Sequence, residues 1–231
     1  MNFGRAFSYV TEDPEWLQKV GIAALIMLIP ILGQIIVIGW ALELTRRVIN
    51  NEPDKLPDWS NFGDHLSKGF QGFVIAFVYA LPAILVSACS QGVSFLPAMM
   101  NNSGSSSTAT TIASVVMVVS LCLSCVMIIY ELFLAFVLPA AMGNFAATGQ
   151  ISAGFRFGEV FGLVRAAPGA YFMAFLGSLL ASIVAMLGLI ACIIGVLFTV
   201  AYAYAVNAHF WGQAYNAAKA AQNLAPVAPP M

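Results

Sequence analysis

The chain has 231 residues, of which 61% are hydrophobic and 8% charged, far from the soluble norm of roughly half apolar and a quarter charged. A water-soluble domain is therefore excluded, and the expected environment is the lipid bilayer. With a net charge of −1 there is no basic surplus to hold nucleic acid by counterion release, so nucleic acid is not an expected partner.

Residues 1–19 read as an N-terminal interfacial segment. They carry Glu12, Asp13 and Glu15, and no small-residue cleavage site follows a short apolar core, so the first apolar stretch is expected to stay in the mature chain. Asp13-Pro14-Glu15-Trp16 has the character of a helix start: Asp13 is suited to cap free N–H groups, Pro14 to the first helical position and Glu15 to the helix dipole. Trp16 falls where an interfacial indole belongs.

Four apolar stretches follow, at 20–44, 72–96, 111–138 and 169–215, and their only ionisable residues are Glu43, Glu131 and His209. Hydrocarbon offers backbone N–H and C=O groups no partner, so each stretch is expected to be helical. The last is too long for one crossing, since about 46 helical residues reach roughly 69 Å against a hydrocarbon core of about 30 Å. Gly188 and Gly195 bracket the expected turn. The reading is an all-α polytopic transmembrane helix bundle of about five spans, at 20–44, 72–96, 111–138, 169–190 and 193–215, within a single domain over 20–218. The first stretch admits a second reading, because Pro30-Ile31-Leu32-Gly33-Gln34 at its centre divides it into two short helices forming a re-entrant hairpin.

With five spans, seven of the nine Lys and Arg residues fall on one side, which makes loops 45–71 and 139–168 and the C-terminus cytoplasmic. With the hairpin, all nine do. Within the first of these loops, Leu56-Pro57-Asp58-Trp59 sets a turn, with Trp59 and Phe62 as interfacial anchors; Trp211 has the same expectation near the chain end. In the second, a cytoplasmic interfacial helix is expected over about 152–166, with Ser152 as its cap. Gly154, Gly158 and Gly162 recur every four residues there, the spacing that lets a neighbouring helix approach closely. Pro82 reads as a kink and Pro139 as a stop. The Gly/Ser/Thr/Asn run at 101–111 is expected to be a mobile external loop, and 219–231 a disordered tail.

Phe7-Ser8-Tyr9 with Asp13-Pro14-Glu15-Trp16, Ile29-Pro30, Gly39-Trp40, Leu56-Pro57-Asp58-Trp59, Gly69-Phe70, and Tyr79-Ala80-Leu81-Pro82 occur in that order. Later come residues 153–160, from Ala153 through Phe155-Arg156-Phe157 to Val160, and His209-Phe210-Trp211-Gly212-Gln213-Ala214-Tyr215. In these segments the chain resembles an uncharacterised family of bacterial and archaeal polytopic membrane proteins catalogued as domain of unknown function 4013. The resemblance implies a multi-span integral membrane protein and transfers no catalytic residue.

Glu131 is the sharpest single residue, because a carboxylate well inside an apolar helix needs an inward-facing partner. Arg156, Glu159 and Arg165 belong to the same depth as Glu43 and Arg46, so the expected polar network joins Glu131 to Arg165 or Arg46, with His209 nearby. Cys89, Cys122, Cys125 and Cys192 lie in apolar runs and read as buried small hydrophobes. No nucleophile elbow, phosphate-binding Gly-Lys-Ser/Thr loop or His-Glu-x-x-His occurs, so neither an enzyme, a catalytic residue, a bound metal nor a cofactor is expected. Two functions remain open: a membrane-embedded binding or transport-type module for a small solute or lipid headgroup, and a non-catalytic scaffold or accessory subunit that engages another membrane protein or a second copy of itself.

Overall fold

The computed structural model describes residues 1–52, 55–95 and 106–224. Its elements are α1 (Phe3–Glu12), α2 (Trp16–Ile26), α3 (Leu32–Ile49), α4 (Phe62–Ser94), α5 (Ser106–Thr148), α6 (Ile151–Gly154), α7 (Phe157–Ala166), α8 (Pro168–Leu187) and α9 (Cys192–Leu224), with short 3-10 turns at Trp59–Asn61 and Gly188–Ala191. The described residues contain no strand. They divide into two compact units, one of residues 1–76 with 136–231, the other of residues 77–135.

Among the described residues, four helices are long and apolar enough to cross a membrane, over Trp59–Val93, Thr110–Thr148, Pro168–Ile190 and Ile194–Leu224. The first apolar stretch is not among them, which corrects the count of five. Pro30 has no N–H to donate to the Ile26 carbonyl and its ring would clash with that carbonyl in a continuous helix, and α2 ends at Ile26. The 11-residue α2 reaches only about 16 Å, too short for a crossing. Residues 27–31 turn the chain, with Ile31 at φ 64°. A Cβ on Gly33 would run into the Ile26 carbonyl, so the reversal closes only around glycine. At the other end, the indole N–H of Trp59 donates to the Lys19 carbonyl at 3.0 Å, joining the start of α2 to the segment that follows α3. The helices thus form a hairpin, the second of the two readings.

The larger unit is organised on α9. Thr45 donates to the Ala208 carbonyl at 3.2 Å, and Asn216 donates to the Val48 and Ile49 carbonyls at 3.1 and 3.2 Å, capping the end of α3. Gly212 sits against Val48 and the Thr45 carbonyl. Tyr202 donates to the Phe7 carbonyl at 2.8 Å, and Phe3 packs on Phe210. The Asn2 amide donates to Gln213 at 2.8 Å, so the N-terminal segment lies beside the end of α9, and Arg5 and Lys19 share the end of the bundle that holds Arg46 and Arg47. Trp40, Tyr9, Tyr171, Phe210, Ile36 and Leu44 are the bulkiest fully buried side chains around these contacts.

The turn expected between Gly188 and Gly195 is present. Thr199 donates to the Ala185 carbonyl across it at 2.8 Å, and Gly188 lies against the Gly195 backbone. Four local expectations are corrected. The interfacial helix expected over 152–166 is broken at Phe155 and Arg156 into α6 and α7. Pro139 lies inside α5, which continues to Thr148 because buried Met142, Asn144 and Phe145 hold the following turns against the core. The expected tail is helical through Leu224, in keeping with its run of Ala, Lys and Gln, and the expected loop is helical from Ser106; residues 101–105 and 225–231 lie outside the described residues.

Candidate functional site

Two buried ion-pair nodes organise the charged end of the larger unit. The first is Glu43, in the last turns of α3 and 8% exposed. Arg46 donates to it through Nη2 at 2.6 Å and Nε at 3.0 Å, Lys68 of α4 donates at 3.0 Å, and Arg47 lies 3.7 Å away. Burial pushes the Glu43 carboxyl up, but the hydrogen bonds from Arg46 and Lys68 outweigh it and hold the group at about 2. Glu52 and Asp64 extend the node through Arg46 and Lys68 at 3.5 and 3.3 Å.

The second node is Lys19, 7% exposed. Its ammonium donates to Asp13 at 2.9 Å and to the Leu56 carbonyl at 3.2 Å, and lies 3.0 Å from Asp58. Asp13 also accepts from the Glu15 and Leu56 amides, both at 2.8 Å; α2 starts at Trp16 with Glu15 as its N-cap, so Asp13, expected to cap that helix, instead closes the turn before it and fastens the distant Leu56 loop. Burial raises the Asp13 carboxyl, yet the bonds from Lys19 and the two amides leave it below the usual carboxylate range; Lys19, against the pull of burial, is held above its ordinary value by Asp13 and Asp58.

Beside these nodes lies an open pocket of about 630 Å³, lined by residues that include Asn2, Arg5, Asn51, Glu52, His209, Gln213 and Asn216. His209 is buried, with its ring 4.6 Å from Tyr9. The Gln213 side-chain amide donates to His209 Nδ1 at 2.8 Å, which leaves the ring proton of the neutral imidazole on Nε2. The pocket therefore offers a guanidinium, a carboxylate, amides and an imidazole at one end of the helices. That set suits a polar, charged ligand.

The family described as "Protein of unknown function (DUF4013)" matches residues 22–205. The chain belongs to this family. No curated protein and no solved structure matches it. The segment matched to DUF4013 contains Glu43, Arg46 and Lys68, whereas Asp13, Lys19, His209 and Gln213 lie outside it.

The network expected around Glu131 is not assembled. Glu131 is exposed on α5, and no ion pair to it or to Arg165 occurs among the described residues. Arg46 is engaged by Glu43 and Glu52 instead, as helix spacing permits: Arg46 lies one turn from Glu43 on the same helix. His209 is in the open pocket, with Gln213 as its partner. Of the expected interfacial aromatics, Phe62 is exposed, Trp16 lies 6.0 Å from Phe198, and Trp211 has a buried indole N–H with no hydrogen-bond partner among the described residues. Trp59 faces inward, onto Trp40 and His65. The cysteines are exposed on their helices rather than buried.

The glycine row is not one contact face. Gly154 meets Ile75, Gly162 meets Gln222, and Gly158 faces open space. The close helix approach lies elsewhere, between α3 and α4: a Cβ on Gly39 would strike the His65 carbonyl, and one on Gly69 the Ile35 carbonyl. This pair has no periodic signature, since its members sit on different helices. Both glycines belong to the segments that carry the family resemblance, which was the only available signal.

Proposed function

We propose that this membrane protein is a non-catalytic binding module that takes a small polar solute or a lipid headgroup in the open pocket beside His209. The observation that carries this reading is the convergence of Arg5, Glu52, His209 and Gln213 on a cavity of about 630 Å³ at the charged end of apolar helices. A guanidinium beside a carboxylate favours an anionic or zwitterionic ligand. The collection of Lys and Arg at this end supports a cytoplasmic orientation for it in a cell membrane, with the bilayer as the constant partner.

The test is thermal unfolding of the purified full chain in detergent against a panel of phosphate, amino acids and short-chain phospholipids, repeated with Gln213→Leu. A saturable stabilisation by one class, reduced in Gln213→Leu, supports the reading. No stabilisation by any class, or one that Gln213→Leu leaves intact, overturns it.

A second reading, a scaffold or accessory subunit that docks on another membrane protein or a second copy, is favoured by the α5 face. The most apolar window of that helix has no buried residue, and Glu131 stands exposed on the same helix. A carboxylate in that setting favours a neighbour that supplies a donor. Crosslinking at position 131 in native membranes distinguishes the two readings.

A further inference from the structure

The turn of the α2–α3 hairpin, residues 27–31, presents a surface that neither water nor lipid satisfies. Leu25, Leu28, Ile29, Ile31 and Leu32 are each at least half exposed around it, a cluster that excludes water as the surrounding medium. Gln34, one turn after Ile31 and also exposed, has no hydrogen bond to its side chain among the described residues. The depth of this surface follows from the ion pairs at the base of the hairpin. Lys19 is held by Asp13 and Asp58, and the Trp59 indole donates to the Lys19 carbonyl while stacking on Trp40, so Lys19 and Trp40 stand at one level. From Lys19 to Ile26, and from Trp40 back to Leu32, the helices rise only roughly 11 and 12 Å. With the ion pairs at the membrane surface, the turn ends near the middle of a hydrocarbon core of about 30 Å. Irregular backbone at that depth persists only where protein or enclosed water covers it, and an unbonded carboxamide there carries its full desolvation penalty.

We propose that the hairpin turn is the contact surface of a homodimer, in which Gln34 of each copy hydrogen-bonds Gln34 of the other. A carboxamide carries both donors and an acceptor, so it is its own complement across a two-fold axis. An axis along the membrane normal leaves depth unchanged and therefore sets each Gln34, and each exposed Ile31, opposite its counterpart. A foreign helix would have to supply a matching polar group at the same depth, and a water molecule would have to enter among exposed Leu and Ile side chains. The surface uses neither the residues of the His209 pocket nor α5.

The experiment places the photocrosslinker p-benzoylphenylalanine at Ile31 in the full chain, reconstituted alone in phosphatidylcholine vesicles and, separately, in native membranes. Ile194, 82% exposed beside the α8–α9 turn, carries the same probe as a control for random encounter. The expected result is an adduct of twice the chain mass from Ile31 in both settings and none from Ile194, persisting as the vesicles are diluted with lipid. Gln34→Leu, at an exposed position outside the Trp40–Trp59 stack, keeps the melting temperature of the unsubstituted chain. It weakens association roughly fivefold or more across the dilution series, as the loss of two interhelical hydrogen bonds in lipid predicts. Phospholipid adducts alone, equal dimer yields from Ile31 and Ile194, or an undiminished yield in Gln34→Leu overturns the proposal. A monomer in the vesicles with an adduct of a different mass in native membranes also overturns it, and assigns the surface to another membrane protein.

Discussion

The indoles of Trp40 and Trp59 lie stacked, with ring centroids 5.6 Å apart and planes 10° from parallel, and each donates its N–H to a backbone carbonyl, Trp40 to Pro57 and Trp59 to Lys19. One aromatic pair therefore fixes the middle of α3, the start of α2 and the segment between α3 and α4. Trp59→Ala removes the stack and orphans a carbonyl, and we expect a loss of about 3–4 kcal/mol; Trp59→Phe keeps most of the packing and loses about 1 kcal/mol. Denaturant unfolding of the detergent-solubilised chain reads both.

Gly39→Ala places a methyl group where the His65 carbonyl stands, so α3 and α4 must separate. A loss of about 1–3 kcal/mol is expected from the overpacking. Gly158→Ala, with nothing within 4 Å, gains roughly 0.5–1 kcal/mol from helix propensity alone. Equal effects at the two positions would contradict the contacts described.

The two nodes set an acid limit. Glu43 is depressed from an ordinary 4.5 to about 2, and Asp13 is also lowered. A carboxylate lowered in the folded state binds its proton more readily when unfolded, so its contribution is complete above the ordinary value and fades as pH falls from about 4.5 towards 2. The melting temperature should hold from neutral pH to about 5 and then drop. Glu43→Gln, which breaks the node at neutral pH, should cost about 2–4 kcal/mol and flatten that decline.

The hairpin has a topological consequence. Single cysteines at Ser8 and Ser152, in a chain otherwise free of cysteine, should react with an impermeant thiol reagent from the same side of a sealed vesicle. Labelling from opposite sides would restore a fully crossing first stretch.

Helix content, the apolar stretches and the Gly188 turn were legible because lipid imposes one rule on every backbone group within it. The Pro30 break was legible as an alternative, since proline's missing N–H is a local fact. Its choice over a kinked helix was not, because that depends on Trp59 and Asp13 reaching across from other segments. The polar site failed for a related reason. Glu131 drew attention by its apolar neighbours in sequence, whereas Glu43 is the carboxylate that Arg46 and Lys68 enclose. Lys19, Asp58 and His65 sit in stretches of ordinary polarity, and only the tertiary path buries Lys19 and His65.

Asn216, which caps the end of α3 from the last helix of the bundle, also constrains how the protein is made. The carbonyls of Val48 and Ile49 leave the ribosome some 170 residues before the amide that satisfies them. Until α9 emerges, the N-terminal hairpin has neither that cap nor the surface formed by Ala208 and Gly212. The contacts that complete the end of α3 therefore form only after the last helix has been synthesised.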